Sequence, residues 1–151
     1  MIVTFCGHSD FYENCLIKSK MMTVLETYVK DVNTDFYLGG YGLFDSFAYS
    51  CTKEYQKTHP NTSLIFVTPY ISLEYQQNHL KQRLETYDSI LYPGFEDKPP
   101  KFAISYRNKY MIESADLVVS YIEHTWGGAY QSYLYALRKR KHVINLADDG
   151  L

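Results

Sequence analysis

Short apolar runs that favour β-strands alternate along this sequence with longer segments whose apolar residues recur at helical spacing. Strands are predicted at 2–6, 36–38, 64–67, 89–92, 116–122 and 142–146, and helices at about 14–32, 44–55, 72–86, 105–114 and 130–137. The run Leu64-Ile65-Phe66-Val67 is typical of a strand buried on both faces. Such alternation favours a parallel sheet with right-handed crossovers. We therefore predict an α/β fold, a Rossmann-like three-layer sandwich with a mainly parallel sheet.

Length and composition indicate one globular domain over residues 1–151, with no segment long enough to be an interdomain linker. The net charge of -2 gives no electrostatic argument for nucleic acid as a partner. The basic run Arg138-Lys139-Arg140-Lys141 lies at a predicted helix end, where cations offset the helix dipole. No apolar stretch is long enough to span a membrane. We expect a cytoplasmic protein without nucleic acid or membrane partners.

Cysteine and histidine residues give no metal motif. Cys6, Cys15 and Cys51 are odd in number and lack ligand spacing, which predicts reduced thiols, with a catalytic cysteine as the alternative. The five histidines are scattered along the chain. We therefore expect neither a metal site nor a cofactor.

Two glycine clusters stand where a predicted strand ends and a helix begins. Gly39-Gly40-Tyr41-Gly42 follows the strand at 36–38, and Gly127-Gly128 precedes the last helix. Such a junction presents free backbone N–H groups and the positive end of a helix dipole, which suit a phosphate. Glycine also lets a ligand approach the main chain closely. The clusters match neither the dinucleotide fingerprint nor a P-loop, but together they predict a nucleotide-type pocket.

Further turns are expected at the same edge of the sheet, because the carboxyl ends of parallel strands lie together and ligands bind there. Gly7-His8-Ser9 follows the first strand, and Thr68-Pro69 follows the third. Both turns are candidate ligand-binding segments. The alternative for the first is a plain turn in which Ser9 or Asp10 caps the next helix.

Charged and aromatic residues beside these turns complete the predicted site. Arg107, followed by Asn108, has the fork geometry that binds phosphate or carboxylate, the alternative being a solvated surface arginine. Tyr41 and Trp126 are candidates to stack on a base, or else are packed aromatics. Asp45 lies in the first turn of its predicted helix, where it binds ribose hydroxyls or only complements the dipole.

Taken in order, these segments resemble the SLOG superfamily, the Rossmann-like proteins that include YpsA, the DprA/Smf core and the LOG phosphoribohydrolases. YpsA-like members are the most similar, and the resemblance extends over nearly the whole chain. It is carried by Cys6-Gly7-His8, Gly-Gly-x-Gly-x-x-Asp at 39–45, Val67-Thr68-Pro69-Tyr70, Arg107-Asn108-x-x-Met111, Ala115-Asp116 and Gly127-Gly128. The resemblance implies nucleotide-derived ligands, including ADP-ribose-type signals, and a homodimer or higher homo-oligomer.

The LOG signature Pro-Gly-Gly-x-Gly-Thr-x-x-Glu is similar to the region from Trp126 to Leu134 only in part. Gly127 and Gly128 match, whereas Leu134 stands where the family has its glutamate. Hydrolysis of an N-glycosidic bond needs an anion near the developing ribosyl cation. Asp45 and Glu74 are the candidate catalytic carboxylates that would replace it.

Three hypotheses follow for function. The first is a module that binds a nucleotide or a nucleotide-derived ligand, such as an ADP-ribose-like signal, at the carboxyl edge of the sheet. The second is an N-glycosidic-bond hydrolase or transferase acting on nucleotides, similar to the LOG enzymes or to a deoxyribosyltransferase. The third is a structural or regulatory protein without a small ligand.

Overall fold

Six parallel strands form one sheet in the computed structural model, which describes residues 1–150. The strand order is β4-β3-β2-β1-β5-β6, and every neighbouring pair is parallel. This architecture confirms the predicted Rossmann-like α/β fold. The strands are β1 (Ile2–Gly7), β2 (Thr34–Leu38), β3 (Thr62–Val67), β4 (Ser89–Leu91), β5 (Leu117–Tyr121) and β6 (His142–Asn145).

Helices cover both faces of the sheet. They are α1 (Cys15–Tyr28), α2 (Leu43–Gln56), α3 (Leu73–Tyr75), α4 (Lys81–Thr86), α5 (Ala103–Ser114) and α6 (Gly128–Arg138). From β1 to β4 the strand order runs toward one edge of the sheet, and after β4 it reverses. Because crossovers are right-handed, this reversal puts α5 and α6 on the face opposite α1 and α2. Accordingly α1 packs against α2, and α5 packs against α6.

The larger core lies under α1 and α2. Phe36 and Leu64, from neighbouring strands, are fully buried there, and so are Met21 of α1 and Phe44 of α2. The smaller core under α5 and α6 contains Val118 of β5. Burial on both faces accounts for the continuous apolar composition of the central strands.

Two predicted helices differ from the structure by more than two residues at an end or in continuity. The first ends at Tyr28 rather than near residue 32, because Lys30 adopts a left-handed conformation (φ 45°) and the N–H groups of Val29 and Lys30 both donate to Leu25 O. Val32 is therefore exposed instead of extending the apolar stripe. The segment predicted as one helix at 72–86 consists of α3 and α4 joined by a π-helical turn, Gln76–Leu80. Within residues 1–150, no helix is long and apolar enough to cross a membrane.

Candidate functional site

A cavity of about 390 Å³ opens at the carboxyl edge of the sheet, between the ends of β1 and β5. This is the point where the strand order reverses, and ligands of open parallel sheets bind at such a point. The turns after β1 and β5 form two walls, and α5 forms a third. The predicted site residues on the lining are Gly7, His8, Ser9, Tyr41, Asp45, Arg107, Asn108, Trp126, Gly127 and Gly128.

The other predicted site residues lie outside the cavity lining. Glu74 is exposed on the short helix α3, away from the lining. Thr68 is buried in the turn after β3, and its hydroxyl donates to Tyr70 O at 2.8 Å. Pro69 follows it in that turn. The structure therefore does not bring the two candidate carboxylates Asp45 and Glu74 into one site.

Glycines 39, 40 and 42 also lie outside the lining, and packing accounts for two of them directly. A Cβ on Gly42 would stand 2.8 Å from Ser9 Cα, and a Cβ on Gly40 would stand 2.7 Å from Phe66 Cε2. Both residues have positive φ, 65° for Gly40 and 89° for Gly42. Leu43 N donates to Ser9 O at 3.0 Å and thereby joins this turn to the turn after β1. The first glycine cluster thus lets two turns pack closely together.

The second glycine cluster faces open space. Gly127 has a φ of 93°, which requires glycine, and Gly128 begins α6 with an ordinary backbone conformation. A Cβ on either residue would meet no atom within 4 Å. No side chain caps this helix start. The first N–H groups of α6 are thus accessible to an anion beside the cavity.

Three aromatic rings are stacked on the wall next to these glycines. The rings of His8 and His124 lie 3.5 Å apart at 14°, and those of His124 and Trp126 lie 3.6 Å apart at 18°. Trp126 ends the stack with 66% of its surface exposed. The Nδ1 atom of His124 is buried and has no hydrogen-bond partner among residues 1–150.

His8 is held in its neutral form. Its Nε2 accepts the N–H groups of Glu123 at 2.9 Å and of His124 at 3.4 Å, so this nitrogen carries no proton. Burial, and secondarily the neighbouring His124, lowers the pKa of His8. A neutral His8 fixes the turn that carries Trp126. No local pattern in the sequence points to His124, because its contact with His8 joins residues far apart in the chain.

Arg107 is 3% exposed and connects two strand ends. Its Nη1 donates to Gly39 O at 3.1 Å and to Val67 O at 2.8 Å, and its Nε donates to Asn108 Oδ1 at 2.9 Å. Nη2 donates to no atom within residues 1–150, so one edge of this guanidinium remains available on the cavity wall. Burial lowers the pKa of Arg107, and Asp45 opposes that effect.

Asp45 stabilises the turn before α2. Its Oδ2 accepts the Tyr41 N–H at 2.9 Å. Burial raises the pKa of Asp45 to about 6, although this hydrogen bond and the charge of Arg107 favour the carboxylate. Asp45 therefore titrates just below neutral pH on the wall of the cavity.

The buried cysteines do not provide a nucleophile. Burial raises the pKa of Cys6, which lines the cavity, to about 12, and it raises that of Cys51 to about 12. Both are therefore thiols at neutral pH rather than reactive thiolates. No group of three or more His, Cys, Asp or Glu side chains in the described chain could hold a metal ion.

Comparison with known proteins gives one informative likeness. No family model matches the chain, and no curated protein matches it. The fold resembles a solved structure of DNA processing protein A from Helicobacter pylori, reported for its unique single-stranded DNA binding mode. The TM-score is 0.62 at 20% sequence identity over 95% of this chain, which spans 63% of the length of that structure. The likeness confirms the resemblance to the DprA type at the level of fold.

This comparison corrects two expectations. Composition indicated that nucleic acid is not a partner. The glycine turns indicated a nucleotide, the family resemblance implied an ADP-ribose-like signal as a further ligand, and an N-glycosidic-bond hydrolase or transferase was the alternative. Both predictions are wrong in the light of a neighbour that binds single-stranded DNA. Net charge does not exclude a nucleic acid, because it averages over the whole surface, whereas a nucleic acid contacts only one part of a surface. A glycine turn at a helix start does not identify a free nucleotide, because such a start can also bind the phosphate of a polymer.

Proposed function

We propose that this protein binds single-stranded DNA at the carboxyl edge of its sheet. The observation that carries the proposal is the exposed Trp126, which ends the His8–His124 stack directly before the open turn at Gly127-Gly128. A base that stacks on Trp126 would have its phosphate near the free N–H groups of α6. We also propose that the chain is related to the YpsA-like proteins, the members of the SLOG superfamily that its sequence resembles most.

Base stacking and anion binding have separate roles in this arrangement. Stacking of a base on an aromatic side chain contributes about 1–3 kcal/mol and tolerates any base. The N-terminus of α6 and the Nη2 edge of Arg107 supply donors for phosphate oxygens. Duplex DNA keeps its bases stacked on one another, so it cannot use Trp126 in this way. We therefore expect a preference for single strands without strong sequence preference.

The single tryptophan of the chain makes the proposal directly measurable. Titration with a twelve-nucleotide oligo(dT) should quench Trp126 fluorescence saturably, and the matching duplex should quench it much less. In fluorescence anisotropy with labelled oligo(dT), Trp126→Ala should weaken binding by about 5- to 150-fold, the equivalent of one lost stacking contact.

Tyr28→Ala is the matched control. Tyr28 is a partly exposed aromatic residue at the end of α1, where its ring contacts His142 at the opposite edge of the sheet. Its removal should leave oligonucleotide affinity unchanged. The absence of any anisotropy change at 100 μM protein and low salt would refute the proposal. Equal losses in the Trp126 and Tyr28 variants would place binding elsewhere.

A further inference from the structure

Three cations lie close to two tyrosine rings on the exposed face of α5 and α6. Lys109 Nζ lies 6.0 Å from the ring of Tyr106 and 5.6 Å from that of Tyr135, and the charged groups of Arg138 and Lys139 lie 5.8 and 5.5 Å from the Tyr135 ring. We call these five residues the basic–tyrosine row. The three cations are exposed and both tyrosines are half-buried. The charged groups of the row are thus exposed to solvent, and the half-buried tyrosine rings form a partly apolar surface beneath them.

The row is positive in a chain that is negative overall. Its three cations face one carboxylate, Glu113, so its net charge is +2, whereas the whole chain carries -2. Lys139 lies 4.0 Å from Glu113, and about half of each side chain is exposed. Such an exposed pair is weak, so Lys139 keeps most of its attraction for another anion.

The row continues directly from the cavity. Asn108, which lines the cavity, precedes Lys109 in α5, and Ser132 lines it from α6. Ser132, Tyr135 and Lys139 are spaced i, i+3, i+7, so they form one stripe along the helix. From Ser132 to Lys139 the stripe spans about 10 Å at 1.5 Å per residue. That length equals about three of the 3.4 Å intervals between successive phosphate charges along one strand.

We propose that a single strand held at the cavity continues over the basic–tyrosine row, which carries about three further nucleotides. The inference rests on the proposed function and extends it to a defined path. Lys109, Arg138 and Lys139 contact successive phosphates, while Tyr106 and Tyr135 provide ring surface for bases or sugars. The occupant is a single strand because the row offers tyrosine rings beside its exposed cations, whereas a duplex exposes phosphates but not base faces.

The test combines a double substitution with strands of different length. Lys109→Gln together with Lys139→Gln removes two cations of the row. Lys57→Gln together with Lys81→Gln is the matched control, because both lysines are exposed, one directly after α2 and the other in α4, away from α5 and α6. Affinities for oligo(dT) of two, four, six, eight and twelve nucleotides are measured by competition against a labelled strand. Thermal unfolding verifies that all variants are folded.

For the wild type, affinity should rise up to about four or five nucleotides and then level off. The row variant should bind the eight-nucleotide strand about tenfold more weakly but the dinucleotide as well as the wild type does. The control variant should match the wild type at every length. Equal affinity of the row variant and the control for long strands would overturn the path while leaving the cavity proposal intact. Failure of the wild type to bind any strand would overturn the proposed function itself.

Discussion

The buried carboxylate of Asp45 lowers the stability of the protein at neutral pH. Its Oδ2 accepts the Tyr41 N–H, but burial raises its pKa to about 6. Between about pH 4 and pH 6 the native state therefore binds more protons at this residue than the unfolded chain does. The stability that protonated Asp45 contributes is present below pH 4 and is lost as the pH rises through 6.

Replacement of this carboxyl group should stabilise the protein at neutral pH. Asp45→Asn should raise the free energy of unfolding by about 1–2 kcal/mol at pH 7.5, because the amide keeps an oxygen for Tyr41 without a buried charge. At pH 4 the variant and the wild type should be nearly equal. Urea denaturation followed by Trp126 fluorescence measures both values.

The control is the exposed carboxylate Asp31, which makes no side-chain hydrogen bond or ion pair within residues 1–150. Asp31→Asn should change stability by less than about 0.5 kcal/mol at either pH. A loss of stability in Asp45→Asn at pH 7.5 would mean that the charged hydrogen bond to Tyr41 outweighs the burial of the carboxylate.

Gly128 begins α6, and the fold does not require a glycine at this position. Its backbone conformation is ordinary, and a Cβ there would meet no protein atom within 4 Å. Gly128→Ala should therefore keep or raise the free energy of unfolding, by up to about 1 kcal/mol from helix propensity. In the proposed complex the added methyl group would stand where a phosphate approaches the free N–H groups, so oligo(dT) affinity should fall about tenfold.

Gly7→Ala is the contrasting variant. A Cβ on Gly7 would lie 2.2 Å from Phe44 Cγ, so this substitution should destabilise the whole fold. Urea denaturation measures the stability of both variants, and anisotropy measures their affinity for oligo(dT). Together they distinguish a glycine that is required for ligand binding from one that is required for packing. Unchanged affinity in a stable Gly128→Ala protein would show that no phosphate binds at the start of α6.

The helices and strands were largely predictable, because local patterns determine them. Buried parallel strands require continuous apolar runs, and the amphipathic segments between them have helical period. The early end of α1 was not predictable, since it depends on a left-handed Lys30, a conformation that glycine usually supplies. The only sign of the break between α3 and α4 in the sequence is that the apolar residues of this segment recur less regularly at helical spacing.

The candidate site was predictable at its glycine turns but not in its contacts. The sequence located both glycine clusters, yet it could not show that the first is packed against Ser9 while the second is open. Arg107 was singled out for a phosphate, but its bonds to the ends of β2 and β3 depend on tertiary structure. The stacking of His124 on His8 likewise depends on the pairing of β1 with β5.

Across the whole fold, a single reversal of strand order determines where the cavity and the basic–tyrosine row of the proposed interface lie. The strand order reverses after β4, so the cavity opens between β1 and β5. The same reversal puts α5 and α6 side by side on one face, where they form the basic–tyrosine row. The cavity and the basic–tyrosine row therefore share α5 and α6. Together they form one continuous surface, from the carboxyl edge of the sheet onto the face that these two helices cover.

This arrangement predicts a shallow dependence of binding on salt. Arg107 at the cavity and the three cations of the row amount to four positive charges that can meet phosphates, and each displaces about 0.7 counterions from a single strand. A plot of log K against log salt for a twelve-nucleotide oligo(dT) should therefore have a slope of about -3. The negative charge elsewhere should keep other surfaces from contributing.

The slope also identifies which cations are used. The variant with Lys109→Gln and Lys139→Gln should have a slope of about -1.5, because two of the four phosphate contacts are gone. Trp126→Ala should instead lower affinity at every salt concentration without changing the slope. Anisotropy titrations between 50 and 300 mM NaCl measure both quantities. A slope much steeper than that of four contacts would mean that the strand also crosses lysines outside the row, and a slope near zero would mean that stacking alone holds it.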